Sequence, residues 1–313
     1  MLSVTPPAEP LLLEAVTKTF QRGAVAANRA ISLTFRPGQL IALIGHNGAG
    51  KTTLLNQIIG TTKPTSGDIR YGTESLGKNP DLARRVASMM PQMHAPLTGV
   101  TPLQAITSIG RVRGLSGRDA RREASALIDE LDITPWQNVG GEKLSGGLRR
   151  LTSYAMAVIA SPPVLLIDEP TNDVDPVRRP LIWRNLRRLA DAGHIVIVVT
   201  HNLLEVQRTA DRYVLLQNGQ VLIDSTPRQL SQRAQTTTLS VSVRSDVDLA
   251  TMPAASRLHP VDGDGQLRLD LEPAHIPDAV AWVLEQVEAG EIYSYTLTPA
   301  SLESLYEGIT NGR

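Results

Sequence analysis

Short, almost continuous apolar runs alternate along the first two thirds of the chain with stretches that mix apolar and polar residues. The runs at residues 39–45, 164–170 and 194–200 have the composition of strands that are buried on both faces of a parallel sheet. Residues 51–60 place their apolar residues on one side, as an amphipathic helix does, and residues 176–191 are also predicted to be helical. This alternation predicts a layered α/β core around a parallel sheet.

Two stretches depart from this alternation. Residues 11–44 contain the strand-like runs LLLEAV, AISLTF and QLIALIG, and we expect an antiparallel β subdomain on this N-terminal side. Residues 100–160 contain helical segments only, so we predict a helical subdomain, at about residues 93–158, inserted into the α/β core. The short strands YVLLQ and QVLID close this part, and residues 1–232 are therefore interpreted as one domain.

The composition changes near residues 231–238, and we predict that residues 233–313 form a small α+β accessory domain. It contains the strand-like runs LSVSVRS, QLRLDL and IYSYTLT and the helix-like run AHIPDAVAWVLEQVEAG. A last helix is predicted over PASLESLYEGI, because Pro299 and Ser301 suit a helix start.

Composition and charge narrow the classes of function. The 313 residues include 31 Lys and Arg against 31 Asp and Glu, and this balance disfavours a general nucleic-acid binder. The chain contains no cysteine, which excludes disulfides, thiolate metal sites and cysteine nucleophiles. No apolar run approaches the roughly 20 residues that cross a bilayer, and the first ten residues do not have the pattern of a secretory signal. A partner would therefore supply any membrane-spanning helices.

A phosphate-binding loop follows the first buried strand. The segment GHNGAGKT, Gly45 to Thr52, fits the pattern GxxxxGK[ST] and stands between a predicted strand and a predicted helix. Glycines allow the backbone amides to turn towards phosphate oxygens, and the following helix presents its positive end to the same anion. Lys51 would add a full charge near the β- and γ-phosphates, and the hydroxyl of Thr52 can ligate Mg²⁺.

An acidic pair follows the second buried strand. Asp168 and Glu169 stand where residues 164–170 leave the sheet, and ligands of open α/β sheets bind at the carboxyl ends of strands. We therefore expect Asp168 beside the phosphate loop, where it would help to hold Mg²⁺. Glu169, one residue further, is expected to activate or orient an attacking water as a general base.

A second anion-binding helix start is predicted about 100 residues after the first. Ser145 is a suitable N-cap, and Gly146 and Gly147 expose amides at the positive end of the helix predicted over residues 146–160. One nucleotide does not need two such sites in one monomer. Two sites are useful if subunits pair head to tail around two nucleotides.

With these motifs in place, the sequence resembles the nucleotide-binding domains of ABC transporters over about residues 10–230, and its LSGGL is similar to their LSGGQ signature. The resemblance implies a P-loop NTPase core of the RecA-like type, with ATP held between the phosphate loop of one subunit and the signature of the other. The partner would be a second copy of the chain or a paralogous ATPase.

Four further residues match this family. Phe20, 25 residues before Gly45, resembles its adenine-stacking aromatic residue, and Gln92 resembles the glutamine that links the magnesium site to the membrane subunit. Asp175, in TNDVDP, lies in a segment similar to the D-loop, and His201 resembles the histidine that contacts the γ-phosphate.

The resemblance assigns three kinds of role. It implies that the catalytic residues are Glu169, His201 and Lys51, and that the magnesium ligands are Thr52, Gln92 and Asp168. The residues expected to bind ATP are Phe20, Gly45, His46, Asn47, Gly48, Ala49, Gly50, Lys51, Thr52, Thr53, Gln92, Ser145, Gly146, Gly147 and Asp175.

The chain departs from the family in two places. Leu148 replaces the signature glutamine, and Asp173-Val174 replaces the commoner Gly-Leu of the D-loop. We do not interpret these changes as a dead site, because backbone amides do most of the anion binding and Glu169 and His201 are present. A subunit that binds ATP without hydrolysing it is the alternative that Leu148 suggests.

The resemblance also implies a partner and a location. We expect a separate transmembrane permease subunit, a peripheral position on the cytoplasmic face of the cell membrane and no nucleic-acid partner. The C-terminal TPASLESLYEGIT loosely resembles the tails of drug-resistance and ABC-2-type exporter ATPases. This favours export of a drug, antibiotic, lipid or polysaccharide, with an importer ATPase or a non-transport ABC ATPase as alternatives.

Overall fold

The computed structural model describes residues 9–20, 25–93, 97–233, 237–243, 252, 257–259 and 266–299. The chain divides into two compact units, Met1–Ser225 and Thr226–Arg313, and each is described by itself. The domain boundary that we placed after residue 232 stays a prediction.

The first unit combines strands and helices in alternation. Its strands are β1 (Leu11–Phe20), β2 (Val25–Phe35), β3 (Leu40–Ile44), β4 (Ser66–Tyr71), β5 (Glu74–Ser75), β6 (Ala87–Met90), β7 (Val164–Asp168), β8 (Ile195–Val199), β9 (Arg212–Gln217) and β10 (Gln220–Ser225). Its helices are α1 (Lys51–Ile58), α2 (Pro80–Val86), α3 (Pro102–Val112), α4 (Gly117–Glu130), α5 (Gly146–Val158), α6 (Arg179–Asp191) and α7 (Leu203–Gln207).

A six-stranded sheet forms the centre of this unit, in the order β10-β9-β3-β8-β7-β6. Every neighbouring pair from β9 to β6 is parallel, and only β10 runs antiparallel to β9. Strands β3, β7 and β8 are buried at every position, as their continuous apolar sequences predict. The carboxyl ends of these parallel strands share one edge of the sheet, and the residues that follow each strand are brought together there.

A second, antiparallel sheet has the order β2-β1-β4-β5, which agrees with the predicted N-terminal β subdomain. The pairing of β1 with β2 shifts register near Ala15 and Ala30, whose φ angles are 48° and 47°. Strand β2 begins at Val25, earlier than the run AISLTF suggested. We predicted no elements over residues 61–92, where the structure has β4, β5, α2 and β6, because these elements are short and their apolar patterns are weak.

The core of the first unit joins the two sheets through α1. Leu54, Leu55 and Ile58 of this helix are fully buried in one apolar cluster with residues of β1, β2 and β4 and of β3, β7, β8 and β9. Truncating one such leucine to alanine typically costs about 2–5 kcal/mol. The helix that follows the phosphate loop is therefore fixed by packing on both sides.

The predicted helical insertion lies between β6 and β7, which are parallel neighbours in the sheet. Thr101 caps α3 in a reciprocal arrangement with Gln104, and the side chain of Ser116 caps α4. Leu97, Ala105 and Leu144 form a small buried apolar cluster in this region. The helical subdomain thus has local caps and a small core of its own.

The second unit contains α8 (Pro227–Arg233), β11 (Thr237–Val243), β12 (Arg257–His259), β13 (Gln266–Leu271), α9 (Ile276–Glu288) and β14 (Ile292–Pro299). Its antiparallel sheet has the order β12-β13-β11-β14, and Ala279, Trp282 and Val283 of α9 share its buried core. Pro299, expected at the start of a helix, is the last residue of β14, and the rest of that predicted helix lies outside the described residues. Within the described part of the chain, none of the helices has both the length and the apolar character that crossing a membrane requires.

Candidate functional site

The loop between β3 and α1 has the backbone that a phosphate cradle requires. Gly50 precedes α1 with φ 100°, and no side chain caps the helix. A Cβ at Gly50 would lie 2.1 Å from the carbonyl oxygen of Ala27 and 2.6 Å from Nδ2 of Asn28. Gly45 is equally confined, with 2.4 Å to the carbonyl oxygen of Leu216. Glycine at these two positions is therefore a steric requirement, and the first amides of α1 keep their hydrogen-bonding capacity.

The rest of the loop is braced by its own backbone. The amide of buried Ala49 donates to the carbonyl oxygen of His46 at 3.1 Å, and Nδ1 of His46 donates to the carbonyl oxygen of Asn47 at 2.7 Å. Thr53 lies inside α1, where its carbonyl oxygen accepts from Nε2 of Gln57 at 3.2 Å. These local bonds are joined by one from a distant strand turn, because the amide of Gly219 donates to the carbonyl oxygen of Ala49 at 3.1 Å.

Lys51 turns back over the loop. Its Nζ donates to the carbonyl oxygens of Gly45 at 2.6 Å and His46 at 3.0 Å. Burial lowers the pKa of Lys51, while the negative charges of Glu169 and Asp168 act in the opposite direction. The ammonium group thus lies at the phosphate loop and within electrostatic reach of the acidic pair.

The acidic pair occupies the end of β7. Asp168 and Glu169 are 2% and 7% exposed, and the side chain of Thr52 is hydrogen-bonded to Asp168. Burial, followed by the charge of Glu169, raises the pKa of Asp168 to about 6, although Arg150, Lys51 and the Thr52 bond lower it. The structure places Asp168 next to Thr52 of the phosphate loop, where its position after a buried strand predicts it. The role of Asp168 as a magnesium ligand stays a prediction.

Asp168 has the donor chemistry for a divalent cation, and the second carboxylate, Glu169, keeps an oxygen that can serve acid–base chemistry. Oδ2 of Asp168 and Oε2 of Glu169 are buried and have no hydrogen-bond partner among the described residues. Buried carboxylate oxygens without partners are costly, and a hard cation such as Mg²⁺ binds oxygen ligands of this kind. The hydroxyl of Thr52 stands beside Asp168, so the residues present fit the predicted metal.

Glu169 has an unusual backbone and a defined partner. Its φ of 51° is in the left-handed region, and its amide donates to the carbonyl oxygen of Val199 at 2.8 Å. Nδ1 of His201 donates to Oε1 of Glu169 at 2.9 Å, because the carboxylate can only accept. His201 follows β8, the neighbour of β7, so the sheet order places the histidine next to the glutamate.

Gln92 lies at the same edge, just beyond β6. Its side chain is exposed, and its carbonyl oxygen accepts a bond from Nη1 of Arg150 at 2.6 Å. Strand β6 is the edge neighbour of β7, which carries the acidic pair. The backbone at Gln92 is therefore fixed near the site, and metal ligation by its side chain stays a prediction.

The signature turn, Ser145 to Gly147, begins α5. Oγ of Ser145 accepts from the amide of Leu148 at 3.3 Å, and a Cβ at Gly147 would lie 2.5 Å from the carbonyl oxygen of Asp173. No hydrogen bond among the described residues joins this turn to the phosphate loop. The two predicted anion sites are thus separately built within one chain.

The departure at Leu148 has a packing explanation. The side chain of Leu148 is half-buried against the apolar cluster of Leu97, Ala105 and Leu144. A glutamine there would place a polar group against apolar neighbours. The leucine therefore stabilises the helical subdomain, while the backbone amides of the signature turn are retained.

Two other predicted residues have different surroundings. The carboxylate of Asp175 accepts from the amides of Val177 and Arg178 at 3.1 Å and from Nη1 of Arg178 at 2.9 Å. Although burial raises the pKa of Asp175, these bonds lower it overall. Phe20 ends β1 with 42% of its surface exposed, and Nζ of Lys18 lies 5.1 Å from its ring centroid. Nucleotide binding by either residue stays a prediction.

The structure also shows residues that the sequence did not single out. Asn28 and Gln57 are buried, Nε2 of Gln57 donates to Oδ1 of Asn28 at 2.7 Å, and Nδ2 of Asn28 donates to the carbonyl oxygen of Gly50 at 3.1 Å. Oε2 of Glu205 accepts from Thr171 at 2.9 Å and from Trp183 at 2.8 Å. A polar residue within an apolar stretch is the sequence signal that points to such partners.

The site and fold together define a P-loop NTPase, and comparison with known proteins gives its class. A family model described as "ABC transporter" matches residues 28–172. The Nod factor export ATP-binding protein I of Rhizobium sp. (strain N33) is 33% identical over 218 residues, which cover 70% of this chain and 71% of that protein. The chain belongs to the ABC transporter family of ATP-binding proteins.

Two more comparisons set the extent of this likeness. Mouse retinal-specific phospholipid-transporting ATPase ABCA4 is 32% identical over 212 residues, which cover 68% of this chain and only 9% of that protein. The dimeric cassette MJ0796 in a post-hydrolysis state, bound to ADP and Pi, matches with a TM-score of 0.63 and 25% identity, covering 70% of this chain and 99% of that chain. The predicted fold class and the predicted class of protein, an ABC-type ATPase, are confirmed.

Proposed function

We propose that this chain is the ATP-hydrolysing subunit of an ABC transporter and that it drives export through a separate membrane subunit. One observation carries the proposal: His201 and Glu169 are hydrogen-bonded at 2.9 Å at the sheet edge where Asp168 meets Thr52 of the phosphate loop. A base, a metal ligand pair and an anion cradle are the parts that phosphoryl transfer to water needs.

The phosphates of ATP would be held by the amides of Gly48 to Thr52 and by Lys51. Thr52 and Asp168 would hold Mg²⁺, with Gln92 completing the set. When bound, Mg²⁺ neutralises charge on the β- and γ-phosphates. Because Lys51 is already oriented over the loop, its charge would also be in place when the triphosphate binds.

Glu169 would act on the attacking water. Its carboxylate accepts a proton from water as the new P–O bond forms and the bond between the β- and γ-phosphates breaks, giving ADP and phosphate. His201 fixes one oxygen of this carboxylate, which leaves Oε2 to accept the proton. A positioned general base of this kind contributes roughly 10²–10⁴-fold in rate.

The dimer follows from the two separate anion sites. The signature turn of each subunit would complete the phosphate site of the other, so that two ATP–magnesium complexes are enclosed head to tail. The MJ0796 cassette, whose structure is a dimer bound to ADP and Pi, supports this arrangement. The second subunit would be another copy of this chain or a paralogous ATPase.

Export is supported by the relatives. The Nod factor export ATP-binding protein I aligns over 71% of its length, and ABCA4, a phospholipid-transporting ATPase, is similar over 68% of this chain. We propose a drug, antibiotic, lipid or polysaccharide as cargo, carried by a permease that this chain contacts at the cytoplasmic face of the membrane. An importer ATPase and a non-transport ABC ATPase remain the alternatives.

Glu169→Gln tests the enzymatic part of the proposal. We expect kcat to fall by at least about 10²-fold and an ATP-bound dimer to accumulate, measured by steady-state turnover and size-exclusion chromatography. Asp81→Asn is a matched control, because this carboxylate of α2 is exposed. Among the described residues, it forms an ion pair with Arg84 alone. Unchanged ATPase activity of the glutamine variant would sink the proposal.

The same variant tests the partner. We expect a polytopic membrane protein to co-purify with Glu169→Gln from native membranes when ATP is present. This protein should be released when ATP is removed. Co-purification of a permease that also binds an external solute receptor would indicate import. Salt-sensitive binding of nucleic acid by the purified protein would instead indicate a non-transport ABC protein.

A further inference from the structure

Arg150 is a fully buried charge close to the reacting groups. It lies on α5, one turn beyond the signature turn, and is only 1% exposed. Burial lowers the pKa of its guanidinium, while the charges of Asp168, Glu169 and Asp173 raise it. A buried guanidinium is costly unless its donors are satisfied, so its partners show what this position requires.

Its donors all reach backbone oxygens at the ends of two strands. Nε and Nη2 donate to the carbonyl oxygen of Glu169 at 3.0 Å and 2.5 Å, and Nη2 also donates to that of Asp168. Nη1 donates to the carbonyl oxygens of Pro91 at 3.0 Å and Gln92 at 2.6 Å. The rigid planar fork of arginine suits such an arrangement, and a lysine cannot reproduce it.

Glu169 is the residue that needs this support most. A non-glycine residue in the left-handed region costs roughly 1–2 kcal/mol, and Glu169 has φ 51°. Its amide is fixed by the carbonyl oxygen of Val199 at 2.8 Å, and its carbonyl oxygen is fixed by Arg150. Both peptide groups of the residue are thereby held, and its carboxylate is directed to His201.

We propose that Arg150 is a positioning residue for hydrolysis: it holds the backbone of Glu169 in its left-handed conformation and ties it to the segment that carries Gln92. The inference rests on the proposed function, in which Glu169 is the general base. Because one side chain holds both segments, displacement of Gln92 displaces the backbone of Glu169. The start of α5 carries the signature turn, so the same helix serves both sites.

Arg113 provides a matched control. It is a half-buried arginine, and its Nη1 donates to the carbonyl oxygens of Ala157 at 2.8 Å and Ile159 at 2.6 Å, near the other end of α5. Its Nη2 donates to Oγ of Ser88. The two arginines share their chemistry and both donate to backbone carbonyl oxygens, but Arg113 is half-buried where Arg150 is fully buried, and the bonds of Arg113 do not reach the acidic pair.

The experiment compares Arg150→Met, Arg150→Lys and Arg113→Met in purified protein, after their folding has been checked by circular dichroism and thermal unfolding. We expect Arg150→Met to lower kcat by about 10²-fold, as small misplacements of catalytic groups do, while KM for ATP changes less than about threefold. Arg150→Lys should lie between this variant and the wild type. Arg113→Met should lower thermal stability and leave kcat per folded molecule unchanged.

Hydrogen exchange supplies a readout without turnover. In nucleotide-free protein, amides of residues 168–173 should exchange faster in Arg150→Met than in wild type, and in Arg113→Met they should not. Wild-type kcat in Arg150→Lys, or equal losses of kcat in Arg150→Met and Arg113→Met, would overturn the inference.

Two further outcomes are also decisive. If Arg150→Met does not fold, the kcat of Arg150→Lys alone tests the inference. If neither variant folds, Arg150 is required for folding and the inference of a positioning role is overturned. If wild-type protein does not hydrolyse ATP, the proposed function fails first. If wild-type protein does hydrolyse ATP, a negative result with the Arg150 variants counts against this inference alone.

Discussion

The two helix starts predicted to bind phosphate are built differently. Helix α1 follows Gly50, with φ 100° and no side-chain cap, and its first turn carries Lys51. Helix α5 follows Ser145, whose hydroxyl oxygen accepts a hydrogen bond from the amide of Leu148. The first start is therefore left open for an external anion, whereas the second already satisfies one of its amides.

The surroundings of the two helix starts also differ. The start of α1 is held from behind by Asn28 and faces the buried carboxylate of Asp168. In the signature turn, Ser145 and Gly146 are exposed, and Gly147 packs against the backbone of Asp173. One start has the charges for binding and chemistry, and the other offers amides on an accessible surface. This difference fits the proposed arrangement, in which two subunits would share each nucleotide site.

The largest expected effect comes from replacing one glycine at each helix start by alanine. Gly50→Ala would place a methyl group 2.1 Å from the carbonyl oxygen of Ala27 at a left-handed φ, so we expect a loss of about 3 kcal/mol of unfolding free energy and of nucleotide binding. In Gly146→Ala the nearest atom is 3.7 Å away, and stability should change by less than about 0.5 kcal/mol. Urea unfolding measures the stability of the two variants, and ATP titration measures their nucleotide affinity. Equal losses in the two variants would contradict the difference between the two helix starts.

The next effect concerns the buried charge of the first site. The pKa of Asp168 is raised from 3.8 to about 6, so folding favours its protonated form. The associated stability is present below 3.8 and is lost as pH rises through about 6, a change of at most roughly 3 kcal/mol. In metal-free buffer, Asp168→Asn should therefore unfold at higher urea than wild type at pH 7.5. The gain should shrink at pH 5, and a gain independent of pH would contradict the assignment.

A smaller effect is expected behind the phosphate loop. Asn28→Ala removes the bond to the carbonyl oxygen of Gly50 and the bond from Nε2 of Gln57, which keeps only the carbonyl oxygen of Thr53, and this should cost about 1–3 kcal/mol. ATP affinity should fall as well, because Gly50 is no longer fixed. Asn79→Ala removes the side-chain cap of α2 and should lower stability without changing ATP affinity. Calorimetric titration of both variants would show whether the loop depends on its buried amide pair.

The smallest effect concerns the second start. Ser145→Ala removes the cap of α5 and should cost about 1 kcal/mol, and so should Ser116→Ala, which removes the cap of α4. ATP affinity of the monomer should be unchanged in both variants. ATP-dependent dimer formation should weaken only in Ser145→Ala, and light scattering with ATP measures it. Equal dimer formation in the two variants would argue against a role of Ser145 at the subunit contact.

The strands and helices with strong patterns were predictable from local sequence. The apolar runs before Gly45 and around residues 164–170 and 194–200 became β3, β7 and β8, and the run after the phosphate loop became α1. The elements between residues 61 and 92 were not predicted, because two-residue strands and one-turn-scale patterns are also found in loops. Strands β4 and β6 depend on pairing with β1 and β7, which lie far away in the chain.

For the site, the sequence supplied the residues whose chemistry is written in a motif. Sequence motifs predict the phosphate loop, the acidic pair and His201, and the structure brings Thr52 to Asp168 and His201 to Glu169. Arg150 was missed, because an arginine on a helix is ordinarily interpreted as a solvated side chain. Only its burial among four carbonyl oxygens shows otherwise.

The sequence by itself determined which residue types this protein presents and which local backbone they form, because glycine geometry, helix periodicity and apolar runs act over a few residues. The tertiary structure decided which of them meet. It ordered β3, β8, β7 and β6 side by side, and it packed Leu148 inwards against apolar neighbours. It also placed the guanidinium of Arg150 behind Glu169. Such contacts join residues far apart along the chain, and their energies depend on burial and distance, which exist only after folding.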